Sequence, residues 1–279
     1  MVRYILDTML RNLNKHERDD DIEFQEKGHV YTVKKRKGYK SITTVVHNGF
    51  EAFDSDKIIN KMMESKNWEN SKYYGMTKFE IKKQWKDNGK EAALLGTTMH
   101  YLFEYHYNDM YDTPISDHPS YFQDFMNNQD YENTVEYKYF KQFVEESPEL
   151  QPYRTEWSVY DEDNKLAGSI DMTFMNDDGT ISIYDWKRCK KIERFTNFNK
   201  SSVVKGLSHI PDTNYWHYTL QLNLYKMILE SNYGFIVKDL HLVVIHPENL
   251  LETYEKIEIP FIKIADLKKL ILHSRSKLF

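Results

Sequence analysis

The spacing of the hydrophobic residues changes about halfway along the chain. In residues 54–107 and 121–145, apolar side chains recur every three to four positions, which is the period of an amphipathic helix. The apolar side of the first segment is supplied by Ala92, Ala93, Leu94, Leu95 and Met99. The first half of the chain is therefore predicted to be largely helical, with a further short helix within residues 1–15.

One stretch of this half departs from the helical pattern. Residues 29–33 and 41–46 are rich in β-branched and aromatic side chains, and the basic turn between them contains Gly38. Two such runs joined by a glycine-containing turn are typical of a β-hairpin. We therefore predict a hairpin ahead of the long helical region.

Strand patterns dominate after residue 150. Runs of β-branched and aromatic residues separated by polar turns predict three successive strands, followed by a helix and further strands. The predicted strands are 153–160, 166–175, 180–187, 240–246 and 254–259, and the predicted helices are 214–231 and one from Ile262. With a preceding helix the order is αβββαβ, which predicts an α/β fold with a mixed central sheet flanked by helices.

No linker rich in proline, glycine or serine divides the chain. We predict one domain over residues 1–279, in which 1–110 form the N-terminal hairpin and helical part and 150–279 form the core. No run of about 18 apolar residues is present, so no membrane span is predicted. The N-terminus lacks the apolar stretch of a secretory signal, which favours an intracellular protein. Cytoplasm, nucleoid and organelle are all compatible with this, as is a viral or phage origin.

Acidic residues line up across the three successive strands. If the turn at 176–179 closes a hairpin, its midpoint near residue 178 places Asp171 opposite Asp185. The same reasoning for the turn at 161–165 brings Glu156 within one residue of the position opposite Asp171. Directly opposed side chains have Cβ atoms about 4.5–5.5 Å apart, and opposed like charges destabilise a sheet. A bound divalent cation would offset this repulsion, and oxygen ligands suit Mg²⁺ or Mn²⁺.

Lys187 lies two residues beyond Asp185 and therefore on the same face of the strand. Its ammonium group can stabilise negative charge on a metal-held phosphate or on the attacking nucleophile. The alternative is a set of solvated acids on an amphipathic sheet, with Lys187 as a salt-bridge partner. Ile183 and Tyr184 point to opposite faces, which indicates that both faces are at least partly buried and favours the metal site.

The net charge of −5 is unusual for a DNA-binding protein, but the basic residues are clustered. Residues 187–205 carry seven basic side chains and one acidic one. Because this run directly follows the strand with the candidate carboxylate, we predict that it contacts phosphates, and its candidates are Arg188, Lys190 and Lys191. A second basic run, residues 34–40, is interpreted as a solvated loop. Candidates for stacking on bases are Trp216, Phe195 and Phe198.

Two cofactor classes are excluded by the sequence. Cys189 is the only cysteine, so a four-cysteine iron–sulfur cluster cannot form within the chain. The pattern G-x-x-x-x-G-K-[ST] is absent, so no P-loop for a nucleotide cofactor is predicted.

Four motifs in the chain resemble the PD-(D/E)XK nuclease superfamily and, within it, the RecB-like exonucleases. They are Gly96-Thr-Thr-Met-His100 with Glu104, Gly168-Ser-Ile-Asp171, Ile183-Tyr-Asp185-Trp-Lys187, and Gln221-Leu-Asn-Leu-Tyr225. These match the family patterns G-x-x-x-H, G-x-x-D, hydrophobic-x-D-W-K and Q-x-x-x-Y, in that order, over nearly half the chain. The resemblance implies a restriction-endonuclease-like fold with residues 150–279 as its catalytic core. The chain is similar in size and motif order to stand-alone mitochondrial, phage and viral exonucleases.

The resemblance implies metal ligation by Asp171 and Asp185. His100 and the main-chain carbonyl of Trp186 would be further ligands. Lys187 would assist the attacking water.

Five other residues receive roles from the same resemblance or from their position on the helix. Glu156 is similar to an acidic residue that some members carry on the preceding strand and is a further catalytic candidate. Gln221 and Tyr225 match the family's helix motif and are expected to support the lysine or the DNA backbone. Glu104 and Gly96 share a helix face with His100; Glu104 is an additional candidate, and Gly96 predicts a close approach of this helix to the sheet.

The sequence therefore predicts a metal-dependent DNA nuclease acting in replication, recombination or repair. Single-stranded DNA or end-containing duplex is the expected substrate, and replication or recombination proteins are expected partners. The RecB-like resemblance favours an exonuclease. Two alternatives stay open: a structure- or sequence-specific endonuclease of the same superfamily, and a non-catalytic nucleic-acid-binding protein.

Overall fold

A mixed six-stranded sheet lies between two layers of helices in this computed structural model, which describes residues 8–25, 27–196 and 200–277. The helices are α1 (Met9–Leu13), α2 (Ile42–Asn48), α3 (Ser55–Met63), α4 (Lys78–Tyr107), α5 (Ser120–Asn128), α6 (Val135–Glu146), α7 (Asn214–Asn232) and α8 (Ile264–Ser276). The strands are β1 (Ile22–Gln25), β2 (Val30–Val33), β3 (Lys40–Ser41), β4 (Gln151–Asp161), β5 (Leu166–Met175), β6 (Ile181–Lys187), β7 (Val237–Val244) and β8 (Glu255–Glu258).

Strand β5 organises the sheet. It pairs antiparallel with β4 along one edge, while its other edge is shared by two strands. There β3 pairs in parallel with Leu166 and Ala167, and β6 pairs antiparallel with Met172–Met175. Strand β7 continues the sheet parallel to β6, and β8 pairs antiparallel with β7. Residues 168–171 of β5 therefore lie in a gap between β3 and β6, which we call the fork.

The predicted fold class is confirmed. The order α6, β4, β5, β6, α7, β7 is the predicted αβββαβ, and the sheet is mixed and flanked by helices. The turn at 176–179 closes the β5–β6 hairpin, because the Asn176 N–H donates to the Thr180 carbonyl at 2.9 Å and Gly179 takes a positive φ of 77°.

Helices bury both faces of the sheet. Helices α2, α7 and α8 pack over one face, where Ile183 is 0% exposed. Helices α4, α5 and α6 pack over the other face, where Tyr184 is 2% exposed. Asp185 and Lys187 alternate with Tyr184 along β6 and thus point towards the α7 side. The predicted burial of both faces is confirmed.

The hairpin predicted over 29–46 is wrong. Strand β2 pairs with β1, and residues 42–48 form α2. Ser41 caps this helix, since its hydroxyl accepts a hydrogen bond from the Thr44 N–H at 3.1 Å. The buried residues of α2 are Ile42, Val45 and Val46. Their three- and four-residue spacing buries them against the core, which outweighs the low helix propensity of β-branched residues. The basic run is exposed at residues 34–38, as predicted.

The long helix predicted over 121–145 is also wrong, because it is two helices. A 3-10 turn at Tyr131–Asn133 separates α5 from α6. Thr134 then starts α6 by accepting a hydrogen bond from the Tyr137 N–H at 3.4 Å. The apolar period continues through the turn, but the Thr134 cap starts a new helix there.

Helix α4 is apolar on its packed side only near its C-terminus. Ala92, Ala93 and Leu94 are exposed, contrary to prediction, whereas Met99 is 3% exposed. Apart from Ile81, the buried residues of α4 begin at Thr98, so most of the preceding residues are not packed in the core. Although α4 has 30 residues, neither it nor any other helix in the described part is long and apolar enough to cross a membrane.

A buried ion pair anchors the N-terminal segment to β4. The Arg154 guanidinium lies 2.6 Å from Oδ2 of Asp19, and Nε1 of Trp157 donates to Oδ1 of the same carboxylate at 2.9 Å. The charged side chains are 4% and 2% exposed. A guanidinium buried this deeply depends on its carboxylate partner.

We expect Asp19→Ala to lower the free energy of unfolding by about 3–5 kcal/mol, because it leaves the Arg154 charge buried and unpaired. Urea unfolding followed by circular dichroism measures this. The control is Glu248→Ala, which removes the exposed partner of Lys190 and should change stability by about 0.5 kcal/mol or less. Equal effects of the two substitutions would contradict the anchoring role.

Candidate metal centre and active site

Asp171 and Asp185 face each other at the fork. The β5–β6 register pairs Met172 with Tyr184, so the next position along places Asp171 opposite Asp185, as predicted. The strands separate here, and the ladder hydrogen bond is replaced by one from the Trp186 N–H to Oδ2 of Asp171 at 3.0 Å. The backbone of β6 therefore fixes the Asp171 carboxylate.

Glu156 reaches the same place through a distorted backbone. It lies between the pairs Thr155↔Met172 and Trp157↔Ile170, which is the position opposite Asp171. Its φ is +44°, a left-handed conformation that costs about 1–3 kcal/mol for a residue with a side chain. The Ser169 hydroxyl donates to Oε2 of Glu156 at 3.1 Å. Strained geometry of this kind concentrates at functional sites.

His100 approaches from α4 and completes a three-residue cluster. Its Nε2 lies 2.9 Å from the Trp186 carbonyl oxygen. Its Nδ1 lies 3.5 Å from Oε1 of Glu156 and 3.6 Å from Oδ2 of Asp171. One ligand atom from each of His100, Glu156 and Asp171 can be chosen such that all lie within 4.8 Å of one another. The Trp186 carbonyl is thus at the cluster, where it accepts a hydrogen bond from His100.

Burial and mutual repulsion perturb the titration of these groups. Burial, together with the negative charge of Asp185, raises the pKa of Asp171 well above its ordinary value. Burial lowers the pKa of His100, but the charges of Asp171 and Glu156 outweigh it and raise that pKa to about 9. At neutral pH the imidazolium therefore supplies positive charge between the carboxylates.

Asp185 and Lys187 form a second charged pair next to this cluster. Oδ2 of Asp185 lies 2.5 Å from Nζ of Lys187, and Nε2 of Gln221 donates to Oδ1 at 3.1 Å. The Asp185 side chain is 1% exposed, and its Oδ2 has only this ion contact rather than an aligned hydrogen bond. Burial lowers the pKa of Lys187, but the charges of Asp185 and Asp171 outweigh it, so that pKa is raised and the lysine is an ammonium at neutral pH.

The Gly168 and Tyr225 motif positions are in contact. A methyl group at Gly168 would lie 2.8 Å from Cε1 and 2.9 Å from the hydroxyl of Tyr225. Burial raises the pKa of Tyr225 well above its ordinary value. The Tyr225 side chain is only 3% exposed, so its contacts favour a role in holding the strands of the fork in position. Its predicted contact with substrate stays a prediction.

The structure contradicts the predicted role of Gly96 in the α4 motif and leaves Glu104 outside the three-residue cluster. A methyl group at Gly96 would meet no atom within 4 Å, so Gly96 does not serve a close approach to the sheet. Glu104 is buried on α4 but is not a member of the three-residue cluster. Gln221 on α7 bonds the carboxylate of Asp185, the partner of Lys187, and its predicted support of the lysine or the DNA backbone stays a prediction.

The predicted phosphate contacts are paired with acids in this conformation. Arg188 bonds Glu136 on α6 at 2.9 Å and is largely buried. Lys190 and Lys191 are exposed and pair with Glu248 and Glu193. Their roles with DNA stay predictions.

The aromatic candidates lie in different environments. Phe195 is 84% exposed, whereas Trp216 is partly buried against the core. Phe198 lies outside the described residues.

Two site residues were missed by the sequence reasoning. Ser169 bonds Glu156, and its position inside the G-x-x-D motif is the signal that could have found it. The ring of Tyr218 lies 4.8 Å from Nζ of Lys187 and contributes a cation–π contact. Tyr218 is one helical turn before Gln221, which places both side chains on the same face of α7.

Comparisons with known proteins give little guidance. No protein-family model and no curated protein matches the chain. Among solved structures, a protein from Eubacterium rectale described as a "putative exonuclease" is 12% identical, with a TM-score of 0.31. The match covers 52% of this chain and 52% of that one, so the chain spans about half of its length. The protein SSO0001 is 14% identical over 66% of this chain and 73% of its own, with a TM-score of 0.30. At such TM-scores neither similarity supports an inference about function.

We expect Gly168→Ala to lower the free energy of unfolding by about 1–3 kcal/mol, since the added methyl group overlaps the Tyr225 ring. The matched control is Gly96→Ala, which meets open space inside a helix and should raise stability by about 0.5–1 kcal/mol. Chemical denaturation of both variants measures the difference. In a Tyr225→Ala background the cost of Gly168→Ala should shrink; an unchanged cost would argue against the contact.

Proposed function

We propose that this chain is a metal-dependent nuclease that hydrolyses phosphodiester bonds of DNA, with exonuclease action on single strands or ends. The observation that carries the proposal is the convergence of His100, Glu156 and Asp171 at the fork, with the Asp185–Lys187 pair beside them. The carboxylate and carbonyl oxygens among these donors suit Mg²⁺ or Mn²⁺.

The residues present fit a divalent cation. Three buried or half-buried carboxylates compete for the positive charge of one lysine and one protonated histidine. If His100 became neutral, the group would carry two excess negative charges, which a divalent ion would balance. Oδ2 of Asp185, which is buried and lacks an aligned hydrogen bond, offers a further ligand atom. Asp171, Asp185, His100 and the Trp186 carbonyl are thus the proposed ligands, with Glu156 as an additional one.

A bound cation in such a site polarises a phosphate and lowers the pKa of a ligated water. The chain's own residues hold the site in place for that chemistry. The Trp186 N–H fixes Asp171, and the Gln221 amide fixes Asp185. Lys187 retains its proton at neutral pH, so we assign it electrostatic stabilisation of charge on the phosphate rather than proton abstraction.

Substrate binding is assigned to the basic segment after β6. Lys190 and Lys191 pair with acids only at the surface, where such pairs contribute about 0–1 kcal/mol and exchange readily for phosphates. The preference for an exonuclease over an endonuclease rests on the RecB-like resemblance.

We expect Mn²⁺ at about 100 times its dissociation constant to stabilise the protein by about 2.7 kcal/mol, a rise in melting temperature of about 5–10 °C. Asp171→Asn and Asp185→Asn should remove most of this rise, because each deletes a proposed ligand charge. Asp177→Asn, in the exposed turn of the same hairpin, is the matched control and should keep it. Differential scanning calorimetry with and without Mn²⁺ measures the effect, and full retention of the rise in Asp171→Asn would count against the ligand assignment.

We expect Lys187→Gln to lower kcat for cleavage of end-labelled DNA about 100- to 1000-fold while leaving Mn²⁺ stabilisation intact. The reason is that the ammonium acts on the phosphate charge and is not a ligand. Linear and covalently closed circular substrates are compared in the same assay. An exonuclease leaves the circle intact; cleavage of the circle at the rate of the linear form would identify an endonuclease instead.

A further inference from the structure

The N-terminal two thirds of α4 are largely exposed. Between Lys78 and Thr97 only Ile81 is buried, and α3 is the neighbouring helix there. We call residues 78–97 of α4, together with α3 and Phe53, the arm. Its exposed surface is not needed for the core.

An open groove of about 720 Å³ lies along α4 on the arm, beside Phe53 and the first residue of α3, Ser55. Three aromatic residues line it: Phe53, Phe79 and Trp85. Phe53 is 73% exposed and Phe79 is 76% exposed, which is unusual for side chains of this size. The Trp85 ring lies 6.0 Å from that of Phe53, and its Nε1 donates to the Tyr73 hydroxyl at 2.8 Å. The aromatic faces are therefore positioned but uncovered.

The same groove is positively charged in a protein of net charge −5. Four lysines and one acid, Asp87, line it. Lys82 pairs with Asp56 at 2.8 Å, whereas Lys83, Lys86 and Lys90 form no ion pair with any residue that the structure describes. Uncompensated lysines interleaved with exposed rings complement a polyanion that also carries aromatic bases.

Part of the groove lies on the side of α4 that carries His100. Lys86 and Lys82 precede His100 by 14 and 18 residues, which are about four and five turns of an α-helix. Phe79 precedes it by 21 residues, about six turns and about 32 Å along the axis, and Trp85 by about 22 Å. A strand leaving the cluster along this face would therefore meet Lys86 and Trp85 at about 21–22 Å, Lys82 at about 27 Å and Phe79 last.

We propose that the arm binds single-stranded nucleic acid, with the lysines on its phosphates and the aromatic side chains stacked on unpaired bases. The inference rests on the proposed nuclease function. At 3.4 Å per stacked nucleotide, the aromatic side chains would contact bases about six to nine nucleotides beyond the cleaved bond. A duplex is disfavoured because its base faces are already stacked. Unpaired bases, in contrast, have free faces that can stack on the exposed rings of Phe53 and Phe79.

Binding of a fluorescein-labelled 20-residue oligothymidine in EDTA, followed by anisotropy, tests the charge component. The triple variant Lys83→Gln, Lys86→Gln, Lys90→Gln should bind at least about tenfold more weakly in low salt. The slope of log affinity on log salt concentration should become shallower by about 2, since each phosphate contact contributes about 0.7. The control triple variant, which changes net charge equally, is Lys263→Gln, Lys268→Gln, Lys269→Gln at the start and first turns of α8. Equal losses in both triple variants would overturn the proposal.

The aromatic component is tested with one position and two substitutions. Phe79→Leu keeps an apolar side chain but lacks a ring, and it should weaken oligothymidine binding about 5- to 150-fold. Phe79→Tyr keeps the ring and should bind within about threefold of the wild type. Identical affinity of Phe79→Leu and the wild type would overturn the stacking role.

Cleavage of short and long substrates separates this proposal from the nuclease proposal. A tetranucleotide bound at the cluster is too short to reach Phe79, so Phe79→Leu should cleave it at the wild-type rate while its KM for the 20-mer rises. Cleavage of neither substrate by the wild type would contradict the nuclease function, and the binding measurements in EDTA would still decide on the arm.

Discussion

Repulsion between buried carboxylates is the constraint on which the candidate site depends. Asp171 and Asp185 occupy opposed strand positions, and Glu156 faces Asp171 from the other side. Water is largely excluded, so the charges are balanced by neighbours: the imidazolium of His100 and the ammonium of Lys187. Burial, together with the negative charge of Asp185, nevertheless raises the pKa of Asp171 above its ordinary value. Such a cluster is unfavourable for a sheet alone, and under the proposed function a divalent cation would offset the repulsion.

The fork makes this cluster geometrically feasible. Since β3 and β6 share one edge of β5, residues 168–171 lack a strand neighbour there, and side chains from both helical layers can enter. His100 comes from α4, while Gln221 and Tyr225 come from α7. Gly168 permits the Tyr225 ring to fill the gap, and the left-handed backbone of Glu156 brings its carboxylate to the same point. Strain and close packing are thus concentrated where the donors converge.

The helix of the arm is stabilised differently from the elements around the fork. Its residues 78–97 are helical because of good local signals, including the capping box formed by Thr77 and Glu80, rather than because a core demands it. A helix stabilised in this way can present lysines and aromatic rings to solvent. Since the same helix continues into His100, the arm and the cluster keep a fixed spacing along one axis.

Features that depend on short-range periodicity could be predicted from the amino-acid sequence alone. The order of the strands along the chain followed from their two-residue period. The opposition of Asp171 and Asp185 followed from a turn centred near residue 178, because register is local in a hairpin. Tertiary structure decided the rest. Whether residues 41–46 became strand or helix depended on burial against α7 and α8, and Gly96, expected at a close approach, proved to face open space. That Gln221 bonds Asp185, and that Gly168 receives Tyr225, depended on how α7 packs over the fork. Contacts between residues distant in the chain are set by packing of whole elements, which no local pattern encodes.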